Sequence, residues 1–300
     1  MRIGVDLGGT KIEAVALDHA GAVAVRRRVP TPAGDYAGTV RAVAGLVRDA
    51  EGEVGCSCTV GVGTPGAVSP ATGRMKNCNS TCLNGQPLRD DLCAALGREV
   101  RLANDADCFA LSEAVDGAGA GHGTVWGVIL GTGVGGGIVV NGGVLAGPNA
   151  VAGEWGHNPL PAPRDDERPG PPCYCGRRGC VEAFLSGPAI SREHQALTGQ
   201  GLGTADIFHR AREGDAACAA TVGRACDRLA RALAAVLNIL DPHVVVLGGG
   251  LGQAPVFYQE VPRLWGAHVF SDRVDTLLLP PRHGDSSGVR GAAWLWPRSP

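Results

Sequence analysis

One short supersecondary pattern occurs twice in this chain. Near residue 8 an apolar strand (2–7) runs into Gly8-Gly9-Thr10, a second strand (12–17), and an Ala20-Gly21 turn into a third (23–29). Near residue 131 a strand over 125–130 runs into Gly131-Thr132-Gly133, a strand over 137–140, and Asn141-Gly142 before Val144-Leu145. Asn-Gly between apolar runs is a strong hairpin signal, because both turn positions need positive φ. No helix intervenes in either copy, so each is a β-meander. The repeat predicts an internal duplication and an α/β protein with two similar lobes around a cleft.

The remaining pattern is mixed α/β. Helices are expected at 36–51 (capped by Asp35), 87–96 and 106–115, with strands at 59–63 and 100–103. Residues 161–172, rich in Pro and charge, read as a surface loop. Helices follow at 187–196, 205–212 and 216–240. A buried strand at 244–247, a helix at 256–265, a strand at 274–278 and a last helix from 287 close the chain. The expected division is 1–115, with the C-terminal segment 287–300 packing back on it, and 116–286. A chain of 300 residues can supply each part with its own core.

Net charge is -2, so nothing points to a nucleic-acid or anionic-membrane partner. The start lacks the apolar stretch of a signal peptide, and no run nears the roughly 18 apolar residues that span a bilayer. A soluble, cytoplasmic protein is expected. Eleven cysteines, an odd number, do not suggest a disulfide framework in such a chain.

Five motifs carry chemistry. Asp6-Leu7-Gly8-Gly9-Thr10-Lys11 offers inward backbone N–H groups, a hydroxyl and a cation for phosphate, with Asp6 near enough for Mg²⁺. A plain tight hairpin is the alternative. Gly131-Thr132-Gly133-Val134-Gly135-Gly136-Gly137 places five glycines in seven residues after a buried strand, at a high entropic cost. Each motif leads into a strand, unlike a Rossmann or Walker loop. Asn104-Asp105 sits at a strand-to-helix junction, where Asp105 suits a base for a sugar hydroxyl and Asn104 a neutral donor. A helix cap explains the pair equally well. His157 with Cys173, Cys175 and Cys180 would close a tetrahedral, structural Zn²⁺ site. Glu154 and Glu182 flank those ligands, as sugar-hydroxyl partners or as solvated charge. Gly248-Gly249-Gly250 follows a buried strand, where ligands of α/β sheets bind.

Together these stretches resemble the ROK sugar kinases. Within that family the chain looks most like the bacterial fructokinases (manno(fructo)kinases), on Asn79-Ser80-Thr81, Asn84-Gly85-Gln86-Pro87, Gly156–Pro161 and His283–Trp294. N-acetylglucosamine kinases are the nearer second, ahead of glucokinases. The resemblance implies an actin-like ATPase (ribonuclease H-like) fold, ATP with Mg²⁺, a structural Zn²⁺ and a homodimer. It implies phosphorylation of a hexose at O6, with fructose as substrate, mannose beside it, and Asp105 as base. Asn79, Asn104, Asp105, Glu154, His157 and Glu182 match sugar-binding positions. Gly4, Val5 and Asp6 through Lys11, then Gly131 through Gly137 with Ile138, Val139 and Val140, and Gly248 through Gly250 match the nucleotide site. Asp107 stands where many relatives carry Asn. A regulator of the same family would need a DNA-binding segment ahead of Asp6, and the first strand begins at residue 2.

Overall fold

The computed structural model describes residues 1–284 and 287–297. They form two compact units. One contains Met1–Gly127, Gly137–Ala152 and the C-terminal residues from Arg282; the other contains Val128–Gly136 and Gly153–Pro281.

The first unit opens with the meander β1 (Arg2–Leu7), β2 (Lys11–Leu17) and β3 (Val23–Pro30). Then come α1 (Tyr36–Val54), β4 (Thr59–Thr64), β5 (Ala67–Val68), β6 (Met75–Lys76), α2 (Leu88–Leu96), β7 (Val100–Asn104) and α3 (Asp105–Val115). Asp35 caps α1 by accepting from Gly38 N. The sheet order is β3-β2-β1-β4-β7. β1, β2 and β3 are antiparallel, whereas β1, β4 and β7 are parallel. Ile3, Val5 and Leu7 of β1 pack with Val60 and Val62 of β4 and Val43 and Val47 of α1 in a fully buried core.

The second sheet repeats this order. β8 (Thr124–Leu130), β9 (Val134–Val140), β10 (Gly143–Val144), β11 (Val244–Gly248) and β12 (Leu277–Leu279) are arranged β10-β9-β8-β11-β12. β10 pairs antiparallel with β9, and β11 parallel with β12. The expected duplication is therefore visible strand for strand. The second unit adds α4 (Val181–Leu185), α5 (Gly187–Thr198), α6 (Thr204–Arg212), α7 (Ala216–Leu240) and α8 (Pro255–Leu264). In the first unit α9 (Ser287–Trp294) lies on β1 and β4, where a Cβ at Gly4 or Gly61 would collide with the Val289 or Ala292 carbonyl. Residues 285–286 and, from the expected C-terminal segment, 298–300 lie outside the described residues. Among the described residues no helix is long and apolar enough to cross a membrane.

Three expectations change. β9 begins at Val134, ahead of the strand expected at 137–140, so Gly135 and Gly136 are strand as well. Gly137 is glycine for a steric reason: a Cβ there would come 2.5 Å from the Ala106 carbonyl oxygen of α3. The strand expected at 274–278 is Leu277–Leu279, because pairing with Val244–Val246 sets its register. The loop 161–172 is more than surface, since it delivers Glu167, which is buried.

Glu167 accepts from Arg228 Nε and Arg231 Nη2, both at 2.8 Å, and from the Arg164 backbone at 2.8 Å. Arg228 also donates to Glu193, and Arg231 to the Pro161 and Ala162 carbonyls. Burial alone would raise the Glu167 pKa. The hydrogen bonds from Arg231 and Arg228 outweigh it and bring it to about 2. The folded value lies below the ordinary 4.5, so the stabilisation is present above pH 4.5 and is lost as pH falls through 2. Glu167→Ala, which leaves two buried guanidinium groups short of a partner, is expected to cost about 3–5 kcal/mol at pH 7 in urea unfolding. A loss within experimental error would show that water replaces the carboxylate.

Candidate active site and metal centre

Strand register brings together the candidate residues of the first unit. β1 pairs Asp6 with Gly63 of β4, and β4 pairs Thr64 with Asn104 of β7. The three C-terminal strand ends thus share one edge, the place where ligands meet parallel sheets. Asp105 begins α3 at that edge and is exposed. Asn104 caps α3, its Oδ1 accepting from Ala106 N at 2.9 Å. The cap uses the amide oxygen and leaves the NH₂ group as a donor, so capping and ligand binding are compatible.

Asp6 is half-buried. Its pKa is raised to about 6, first by burial, then by the negative charges of Asp105 and Glu13, with Lys11 opposing. Lys11 itself lies 3.8 Å from Glu13. Glu13 is also paired with Arg26 at 3.0 Å and Arg28 at 2.7 Å, so it is Asp6, beside Asp105, whose carboxylate suits a hard divalent ion such as Mg²⁺. The adjacent turn is closed by Gly8 N donating to Lys11 O at 3.1 Å and braced by Thr31 Oγ1 donating to Gly8 O at 2.7 Å. Gly9 and Thr10 line a cavity of about 390 Å³ with Asn79, Thr31, Ser80 and Thr81. Asn79 therefore lies beside the first glycine turn. Thr31 escaped sequence reading, since an isolated hydroxyl residue carries no spacing signal, and Ser80 and Thr81 entered it only as part of the family likeness. Gly4 and Val5 are buried under α9 and in the core. They support Asp6 and present nothing to solvent.

In the second unit Gly131 and Thr132 line a cavity of about 1300 Å³ together with Gly187, Ser191, Gly250 and Gln253. Gly131 N is bonded to Gly133 O at 2.9 Å, and Gly187 N donates to Gly131 O at 2.8 Å. Gly248 ends β11, and Gly249 has φ 77° where a Cβ would collide with the Leu130 carbonyl. The second glycine turn and the Gly248–Gly250 loop thus meet around one cavity. Gly137, Ile138, Val139 and Val140 continue β9 away from it, and Val139 packs into the first unit's core.

The Gly153–His157 segment is pinned by its middle. Trp155 is buried and donates Nε1–H to Gly135 O at 2.8 Å, and a Cβ at Gly156 would collide with the Val134 carbonyl. Glu154 is left exposed and His157 half-buried. Glu182, in the first turn of α4, accepts from Val134 N at 2.8 Å through Oε2. The expected sugar carboxylate therefore also braces the second glycine turn.

His157, Cys173, Cys175 and Cys180 converge, with all ligand atoms within 4.8 Å of one another. Cys173 Sγ is 3.6 Å from His157 Nδ1, and Cys175 Sγ is 3.6 Å from Cys180 Sγ. Four ligands at roughly 2.0–2.3 Å from a tetrahedral Zn²⁺ stand about 3.5–3.8 Å apart, so the residues fit zinc. Hydrogen bonds from Arg177, its backbone N–H first, lower the Cys175 pKa to about 6 and favour the thiolate that a metal needs.

A duplicated sheet with carboxylates at parallel strand ends and a glycine turn in each meander places the chain in the actin-like ATPase fold. The ROK family model matches residues 2–299, and the chain belongs to that family. It is 41% identical over 299 residues, 98% of each chain, to the N-acetyl-D-glucosamine kinase of Yersinia pseudotuberculosis serotype O:3 (strain YPIII). The ROK hexokinase of Thermus thermophilus superposes with TM-score 0.87 at 32% identity, over 97% of this chain and 96% of that one. A ROK family glucokinase from Streptomyces griseus, solved with glucose and AMPPNP, gives TM-score 0.78 at 28% identity over 98% of both chains. The chain is thus a ROK sugar kinase by family and fold. The narrower likeness to fructokinases finds no support here, because the full-length relatives at 40–41% identity are N-acetylglucosamine kinases.

Two outcomes are expected. The Asp6 pKa of about 6 lies above its ordinary 3.8, so the protonated form is favoured on folding. That advantage is complete below pH 3.8 and is lost as pH rises through 6. Asp6→Asn cannot ionise, so in magnesium-free buffer it is expected to stabilise the protein at pH 7.5 by up to about 3 kcal/mol, shrinking toward zero near pH 4. Equal pH–stability curves for both proteins would refute this. Purified protein should hold about one zinc per chain by metal analysis, and Cys175→Ser should lower both zinc content and thermal stability. Zinc-free protein with an unchanged Tm would remove the metal centre.

Proposed function

We propose that the protein transfers the γ-phosphoryl group of ATP to O6 of a hexose, and that the hexose is N-acetyl-D-glucosamine. The reading is carried by the end-to-end likeness to an N-acetyl-D-glucosamine kinase, at 41% identity, in a chain that keeps Asp105 exposed at the sheet edge near Asp6. Asp105 takes the proton of the acceptor hydroxyl and orients its oxygen for in-line attack. Asn79, Asn104, Glu154, His157 and Glu182 are the residues we assign to the other sugar groups. The turns at Gly8–Lys11 and Gly131–Gly133 give backbone N–H groups to the phosphates. The 1300 Å³ cavity lined by Gly131, Thr132 and Gly250 takes the nucleoside. Asp6 would hold Mg²⁺, which would supply charge neutralisation of the phosphates. His157, Cys173, Cys175 and Cys180 would fill all four positions of a zinc ion, so its part would be structural.

Fructose, expected from short motifs around Asn79 and His157, becomes the competing substrate. The test measures kcat/KM for N-acetylglucosamine, fructose, mannose and glucose side by side, with wild type and Asp105→Asn. N-acetylglucosamine should be preferred at least about tenfold, in the range that a few pocket contacts can supply. Asp105→Asn should lower kcat about 10²–10⁴-fold while sugar affinity changes far less. A fructose preference would return the substrate to the competing reading. Near-normal turnover by Asp105→Asn would discard Asp105 as base.

A further inference from the structure

His157 has two ring nitrogens with different neighbours. Nδ1 faces Cys173 Sγ in the metal cluster. Nε2 faces the hydroxyl of Tyr174 at 3.0 Å. The two rings meet edge to face, 87° apart with centroids at 5.1 Å. Tyr174 is nevertheless 78% exposed. A large aromatic side chain that stands in solvent is not there for burial. Among the described residues its contacts are both with His157: the ring edge, and a hydrogen bond to the nitrogen that does not face Cys173.

We propose that Tyr174 is a displaceable cap on the sugar-binding face of His157, its phenol holding the hydrogen bond that a sugar hydroxyl takes over. This rests on the reading that His157 Nε2 binds the sugar. The turn that carries Tyr174 is fixed at both ends, with Cys173 N donating to Arg177 O at 2.8 Å and Gly176 N to Cys173 O at 3.1 Å. Displacement is therefore a side-chain rotation into solvent, and the zinc ligands on either side stay in place. The exchange swaps one hydrogen bond for another. It keeps Nε2 partnered when no sugar is bound and takes part of the binding free energy from every sugar that enters. Tyr174 is then a specificity residue: a ligand with no hydroxyl for Nε2 cannot recover that loss.

The test is Tyr174→Phe, which keeps the ring and removes the phenol. Removing one competing neutral hydrogen bond should lower KM and Kd for the preferred hexose about two- to tenfold. KM for ATP and zinc content should stay at wild-type values. The chain has only three tyrosines, so 3-fluorotyrosine labelling gives a countable ¹⁹F spectrum. One resonance, absent in Tyr174→Phe, should shift when the hexose is added without nucleotide. A KM for hexose that rises would make Tyr174 a direct sugar contact and overturn the cap. An unchanged KM with an immobile ¹⁹F resonance would overturn it as well. If the wild type binds no hexose at all, the kinase reading fails first. If it binds hexose and Tyr174 does not respond, only the cap fails.

Discussion

In the first unit, helices approach the sheet at a separation that only a missing Cβ allows. Gly4 and Gly61 sit side by side on β1 and β4, directly beneath the backbone of α9. Gly291 of α9 meets the Cys108 carbonyl of α3 in the same way. Any side chain at these points would push α9 outward by the thickness of a methyl group or more. Gly4 and Asp6 occupy the same face of β1, two residues apart. The close docking of α9 therefore fixes what covers that face, and Asp6 is left half-buried where the parallel strands end. The raised Asp6 pKa follows from this packing together with the nearness of Asp105. A carboxylate strained in this way is a poor contributor to stability and a good ligand for a cation.

The second unit solves a different problem. The segment between β10 and α5 contains little regular structure, so its shape cannot come from a hydrogen-bonded ladder. It is held at three points instead: Trp155 on the Gly135 carbonyl, Glu167 on Arg228 and Arg231, and the cluster of His157 with three cysteines. Each is a polar or metal-type anchor with a fixed direction, and such anchors orient side chains better than apolar contact does. His157, in the cluster, and Glu182, bonded to Val134 N, are side chains held in this way.

What the sequence made legible has local causes. The duplicated meander could be read because hairpin turns demand particular residues at fixed spacing, and the strand order of both sheets agrees with it. The metal cluster could be read because ligand spacing within a knuckle is short-range. The glycines were only partly legible: Gly131 and Gly250 line a cavity, but Gly4 and Gly137 serve close packing against α9 and α3. A glycine is the same letter in a phosphate turn and in a helix-to-sheet contact, and only long-range packing separates the two. Glu167 was hidden for the same reason, since its arginine partners lie more than sixty residues away on α7.

Glu182 shows how far one carboxylate can be shared. Its Oε2 accepts the Val134 N–H at the end of the second glycine turn, while its backbone lies two residues from the metal-cluster cysteine Cys180. On the proposed reading the same carboxylate holds a sugar hydroxyl. A group that donates to a carboxylate withdraws charge from it, so a hydroxyl and the Val134 N–H draw on the same negative charge. They also fix the same side-chain torsions. The first ligand to order Glu182 bears the rotamer entropy, and the second then binds a carboxylate already in place. Ordering favours cooperation between sugar and phosphate turn, whereas charge sharing opposes it. The ordering contribution is of order 1 kcal/mol for a long acidic side chain. Here, however, Val134 already orders Glu182 before any sugar arrives. On the proposed reading the balance therefore falls toward a carboxylate that Val134 positions in advance, rather than one that waits for the sugar to order it.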